Sequence, residues 1–198
     1  MTPQTFIFIG QSGSGKGEQS TRMQKALKEK FPDDKVYYME TGPNFREFVK
    51  GEKYSNKLAK AVADRGDIQP VFLATYFWSG WLLNNLESGE HVVFDGICRR
   101  LEEAKVFTTA MEFYNREPIV IYINVSRKWA TDRLVGRGRA DDKDLVQLNG
   151  RLDWFEKYTA PVIDYFREND RYTLLEINGE QTIAEVHQEI LQKLGWQK

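Results

Sequence analysis

A single cysteine, Cys98, in 198 residues rules out an internal disulfide, so the fold must rest on apolar burial. No apolar run approaches the ~18 residues that would cross a bilayer. The N-terminus also lacks the charged-then-apolar profile of an export signal. A cytoplasmic protein with no membrane contact is therefore the expectation. An excess of either charge is missing too: 28 Lys and Arg stand against 29 Asp and Glu. No overall field draws the chain onto nucleic acid or an anionic surface, and its basic residues must act locally. Internal repeats and low-complexity tracts are absent. With 41% hydrophobic residues, the chain is long enough for one well-buried domain, 1–198, and short for two.

What is present begins with Phe6-Ile7-Phe8-Ile9, four bulky apolar residues that fit a strand covered on both faces. It runs into Gly10-Gln11-Ser12-Gly13-Ser14-Gly15-Lys16-Gly17. Gly10, Gly15 and Lys16 stand at the fixed positions of G-x-x-x-x-G-K, whose backbone amides turn inward around phosphate while the lysine reaches the outer phosphates. A helix from about Gly15 to Phe31 then starts with its positive end at that anion. Gly17 occupies the place where the general motif has a Ser or Thr that binds magnesium. A glycine-rich turn that binds nothing is the alternative.

Further along, Val36 to Met39, His91 to Phe94, Ile119 to Ile123 and Tyr172 to Ile177 read as strands separated by helical segments, the alternation of a parallel, doubly wound α/β sheet. Between Glu40 and Pro70 lie two short helical stripes and no strand, which reads as an insertion at one sheet edge. Phe72, Tyr76, Phe77, Trp78 and Trp81 have helical spacing, and core packing is expected, with ligand stacking as the alternative. Asp95 closes the third strand, where such sheets bind ligands; a helix cap is its other reading. A long helix is expected from about Lys143 to Glu168, bent near Pro161.

Arg99, Arg133, Arg137, Arg139 and Arg151 fall at strand ends and around one short loop. Phosphoryl transfer needs cations that follow charge across the transferred group, and the arginine fork holds two phosphate oxygens at once. Taken singly, each arginine reads equally well as a surface ion pair, with Asp132, Asp141, Asp142 and Asp153 as partners.

At this point the residues resemble the adenylate kinases, nucleoside monophosphate kinases of the short-lid form. Gly10 to Gln19 resembles G-x-P-G-A-G-K-G-T-Q, Gly17 included. Thr41-Gly42 with Arg46 resembles T-G-D-x-x-R, Asp64-Arg65-Gly66 resembles D-R-G, and Asp95-Gly96-Ile97-Cys98-Arg99 resembles D-G-F-P-R. Arg133 to Asp142 is similar to the short lid and Thr159 to Tyr165 to the helix beyond it. The resemblance covers nearly the whole chain.

It implies a P-loop NTPase fold: a three-layer α/β/α domain with a five-stranded parallel sheet, a helical monophosphate-binding insertion at 40–70 and a very short lid at 136–143. It implies that Gly13, Ser14, Gly15, Lys16, Gly17 and Glu18, with Arg133, Arg137 and Gln181, hold ATP. Thr41, Arg46, Ile68, Gly96, Arg99, Glu103, Arg139 and Arg151 would hold the monophosphate. Arg137, Arg139 and Arg151 would close onto the transferred phosphate, and Asp95 would orient Mg2+ through water. Lys16, Arg99, Arg137, Arg139 and Arg151 would thus be the catalytic set of a monomer that makes two ADP from ATP and AMP.

Five positions depart from the pattern: Glu18 for threonine, Pro43 for aspartate, Cys98 for proline, Arg100 for threonine and Glu103 for glutamine. An ionised glutamate offers only acceptors where glutamine offers a donor as well. Glu103 therefore keeps a GMP or CMP kinase open beside AMP, and the departures together keep a nucleotide-binding module without activity.

Overall fold

Alternation along the first strand sets the layers. In the computed structural model, which describes residues 3–137 and 145–196 without the side chains of 137 and 145–147, strand β1 (Thr5–Ile9) is buried along its whole length. Phe6 and Phe8 point to one face, and Ile7 and Ile9 to the other, as a period of two requires. Phe6, Ile7 and Phe8 are fully buried, which stabilises the fold by about 1.5–3 kcal/mol for each side chain.

All five expected strands form, each within a residue of its expected ends. They are β1, β2 (Val36–Glu40), β3 (His91–Asp95), β4 (Ile119–Asn124) and β5 (Thr173–Asn178). They pair in parallel in the order β2-β3-β1-β4-β5. Strand β1 is central, so the loop that leaves it opens at the carboxyl edge beside the ends of β3 and β4, the ligand position of such sheets. Register adds a carboxylate pair there, since Glu40 stands opposite Asp95.

On the Phe6 and Phe8 face lie α1 (Lys16–Lys30) and α9 (Ile183–Lys193), through Met23, Leu27, Val186 and Ile190. On the other lie α4 (Val71–Asn85), α5 (Leu101–Phe113) and α8 (Ala160–Glu168), through Trp78, Phe107 and Phe166. Helices on both faces of an all-parallel sheet give the expected three layers. The aromatic run of α4 is only partly core: Trp78 is fully buried and Phe77 and Trp81 pack against the core, but Phe72 and Tyr76 are 73% and 67% exposed. One helix cannot turn five aromatics inward when 72 and 76 share a stripe a third of a turn or more from 78.

After β2 come α2 (Thr41–Phe48) and α3 (Tyr54–Asp64). Phe45 and Phe48 of α2 meet Phe77 at centroid distances of 4.6 and 5.4 Å. Beyond β4 lie α6 (Arg127–Arg137) and α7 (Leu145–Trp154). Between α7 and α8 the chain makes a π-helical turn, Phe155–Thr159. Pro161 explains it: its ring has no N–H and crowds the carbonyl four residues back, and a widened turn relieves both.

Candidate active site

The loop after β1 is wrapped by its own backbone, with Ser14 N–H donating to the Gln11 carbonyl at 3.1 Å. Gly13 is required there. Its φ is 88°, and a Cβ would lie 2.5 Å from the Ala130 carbonyl of α6. No side chain caps the start of α1, so its first amides stay available to an anion. The Ser14 hydroxyl is buried without a hydrogen-bond partner, an orphan polar atom in a cradle that suits phosphate. Lys16 folds back over the loop, its Nζ 3.5 Å from the Gln11 carbonyl.

Across the sheet edge, Asp95 is buried at the end of β3. Its Oδ2 lies 3.3 Å from Ser20 Oγ and 3.4 Å from the Tyr38 hydroxyl. Burial, and then the Asp95 charge, push the Tyr38 phenol up, so it remains a donor. A Cβ on Gly17 would come within 3.4 Å of Asp95 Oδ2. The side chain missing from Gly17 thus leaves space between loop and carboxylate. Among the described residues no group of three or more His, Cys, Asp or Glu could hold a metal ion by itself. Asp95 and the neighbouring Glu40, too few to cage an ion, suit Mg2+ held mainly by phosphates and water.

The turn from Gly96 to Arg100 carries Arg99. Its Nε donates to the Gly96 carbonyl at 2.8 Å, and its Cζ lies 5.4 Å from the Trp154 ring centroid. Burial lowers the Arg99 pKa, the charges of Glu103, Asp95 and Glu40 raise it, and Arg151 lowers it. Arg151 is thus within electrostatic reach. Thr41, buried at the start of α2, donates from Oγ1 to the Gly96 carbonyl at 2.7 Å. Arg46 is exposed, and its guanidinium lies beside Gly42 near Glu40.

Two cavities meet at Trp154. A small one of about 30 Å³ has Gly10, Ser12, Lys16, Gly96, Arg99 and Thr159 in its wall. A large cleft of about 680 Å³ is lined by Ile68, Arg65, Arg100, Lys157 and Tyr158 among others. Arg100 lies over the Tyr158 ring, its Cζ 4.3 Å from the centroid. Polar, cationic walls with aromatic faces suit a nucleotide.

Three of the residues named from sequence have other partners. Glu18 turns along α1 to Arg22 at 2.9 Å. Gln181 Nε2 donates to Glu189 Oε2 at 2.7 Å, and Arg133 lies 5.0 Å from the Trp129 ring centroid. Glu103, expected to hold the monophosphate, is buried and accepts from the Cys98 and Arg99 amides of the 96–100 turn. Arg139, the Arg137 side chain and most of the 136–143 segment lie outside the described residues. Two carboxylates offered as ion-pair partners are taken by other cations, Asp132 by Lys128 and Asp153 by Arg127, each at 2.7 Å. Reading the sequence missed Trp154, Thr159 and Tyr38. Only Thr159 carried a signal, through its place in the motif before Pro161.

A phosphate loop, a carboxylate at the next strand end and an arginine facing the loop lysine define a P-loop phosphotransferase, here a nucleoside monophosphate kinase. The family model described as "Adenylate kinase" matches residues 8–171. The adenylate kinase of Mycobacterium bovis (strain BCG / Pasteur 1173P2) is 30% identical over 190 residues, covering 96% of this chain and 98% of that protein. That of Flavobacterium psychrophilum is 29% identical over 186 residues, covering 91% and 93%. The chain belongs to the adenylate kinase family.

Proposed function

We propose that the protein transfers the γ-phosphoryl group of Mg-ATP reversibly to AMP, giving two ADP. The observation that carries this is a small cavity with both Lys16 and Arg99 in its wall. A lysine on the phosphate loop and an arginine on the opposite strand end can hold a donor and an acceptor phosphate in line. The large cleft on the far side of Trp154 then takes the acceptor's base and sugar, with Ile68 as an apolar wall.

In this reading an oxygen of the acceptor phosphate attacks the γ-phosphorus, the bond to the β,γ-bridging oxygen breaks, and ADP leaves with that electron pair. Lys16 and the loop amides follow the charge on the donor side. Arg99 forks onto the acceptor phosphate, helped by Arg46 and Thr41, and Arg151 approaches the moving group. Asp95 would hold Mg2+ through water, and the ion supplies charge neutralisation on the phosphate oxygens. Arg137 and Arg139 complete the set on the strength of the family resemblance. The buried, lone Cys98 and the want of any helix among the described residues long and apolar enough to cross a membrane support a cytoplasmic setting.

The test is initial phosphotransfer from Mg-ATP to AMP, GMP, CMP and UMP, followed as ADP formation. Fast transfer to AMP with little to the others is the expected result. A preference for GMP or CMP would change the acceptor, and transfer to none would leave a binding module.

A further inference from the structure

The turn that carries Arg99 has an unusual backbone. Gly96 has φ 78° and Cys98 has φ 54°, left-handed values that cost a non-glycine residue energy and need outside support. Proline, fixed near −65°, could not stand at Cys98 in this conformation. The turn is therefore a different one from that of a D-G-x-P-R sequence, and it exposes an extra N–H that proline would lack.

Both of its N–H groups end on one side chain. Cys98 N–H donates to Glu103 Oε1 at 2.8 Å, and Arg99 N–H to Glu103 Oε2 at 2.9 Å. Glu103 sits in the first turn of α5 and reaches back over the helix start, with 2% of its surface exposed. The rest of Arg99 is then fixed around this point. Its carbonyl accepts from Thr159 Oγ1 at 3.0 Å, and its Nε donates to the Gly96 carbonyl. A Cβ on Gly96 would meet Arg99 Nη2 at 2.9 Å, so the turn closes tightly on the guanidinium.

We propose that Glu103 is a positioning residue: its carboxylate holds the 96–100 turn that aims Arg99, and it does not read the acceptor's base. The role rests on the proposed phosphoryl transfer, in which Arg99 holds the acceptor phosphate. Chemistry explains why a carboxylate stands here. Two buried amides need two acceptors, and an ionised glutamate has one on each oxygen, whereas glutamine would turn an NH2 donor toward one of the N–H groups. A base edge could not reach either oxygen without displacing the turn itself.

The test compares wild type with Glu103→Gln and Glu103→Ala in two measurements. One is kcat and KM with AMP, GMP, CMP and UMP; the other is hydrogen exchange at the Cys98 and Arg99 amides. Misplacing a catalytic group by about 1 Å costs roughly 100-fold in rate, so E103Q is expected to lose about that much kcat with every acceptor used. The ranking of the bases stays the same, and the unfolding midpoint falls by only the several degrees that one unmatched buried N–H costs. The two amides, protected in wild type, exchange faster in the variant. A changed base ranking, with AMP gaining on the others, would overturn the proposal, as would wild-type kcat in both variants. If wild type transfers phosphate to none of the acceptors, the proposed function fails. Exchange then decides the latch alone, and unprotected amides in wild type would end it.

Discussion

The Trp154 ring centroid lies 5.4 Å from the guanidinium carbon of Arg99 and borders both the small cavity beside Lys16 and the large cleft beside Ile68. Under the proposed function, an arginine at such a junction meets the acceptor's phosphate while the nucleoside occupies the cleft. Arg99→Ala is therefore expected to lower kcat by about a thousandfold, the scale of removing a cation from a transferring phosphoryl group. The backbone of the turn around it is held by the Glu103, Thr159 and Thr41 side chains, none of which the substitution removes, so the thermal midpoint should move by only a few degrees. Unchanged kinetics in a folded variant would remove Arg99 from the site.

The Asp95 carboxylate faces Gly17 across the loop. Asp95→Asn keeps its shape and its capacity to accept from Ser20 and Tyr38, but removes the charge that would hold magnesium's water shell. The Mg2+ concentration giving half-maximal rate is expected to rise by about tenfold or more, in the range of outer-sphere ligand losses. Chelating the metal should abolish transfer in both proteins. A variant with the wild-type Mg2+ dependence would place the ion elsewhere.

At the other end of the sheet, Arg116 performs a purely structural task. Its side chain is 3% exposed and that of Glu90 4%. Nη1 donates to Thr5 Oγ1 at 3.1 Å and to the Glu90 carbonyl at 2.9 Å, and Nη2 to the Ser88 carbonyl at 3.2 Å. Arg116→Met leaves the Glu90 carboxylate buried without its cation, which costs about 3–5 kcal/mol. Urea unfolding should show that loss while kcat of the folded protein holds, and Glu90→Leu added to it should recover most of the stability. A falling kcat would mean that the amino edge communicates with the site.

These cases mark what the sequence could reveal. The phosphate loop and the five strands are local patterns of period and glycine that appear in the structure, and Pro161 marks the place where the long helix is interrupted by a π-helical turn. Asp95 and Arg99 were legible because a strand end fixes where its next residues point. The duty of Glu103 was not, because it depends on two N–H groups that a left-handed residue at Cys98 turns inward, and no spacing encodes that φ. Trp154 was hidden for a similar reason: the helix carrying it lies far from Arg99 in sequence, and only the packed fold brings them together. Arg116 carried no signal in the sequence, since burial of a charge becomes visible only when the strands that enclose it are assembled.

The stability of the Glu103 latch is separable from its use. Burial raises the Glu103 pKa above the ordinary carboxyl value. The amides of Arg99 and Cys98 and the Arg99 charge pull against that rise without cancelling it. The folded protein therefore binds a proton at Glu103 more readily than the unfolded chain does. Between the ordinary value and the raised one, the folded state carries the extra proton, so lowering the pH through that window stabilises it and raising the pH takes the gain away. Glu103→Gln cannot titrate. The stability of wild type relative to E103Q is expected to grow as the pH falls through the window and to be flat on either side. Urea unfolding of both proteins across the acid range measures this difference directly. A difference independent of pH, or one that shrinks on acidification, would mean that the buried carboxylate is better matched by its two amides and Arg99 than its burial allows.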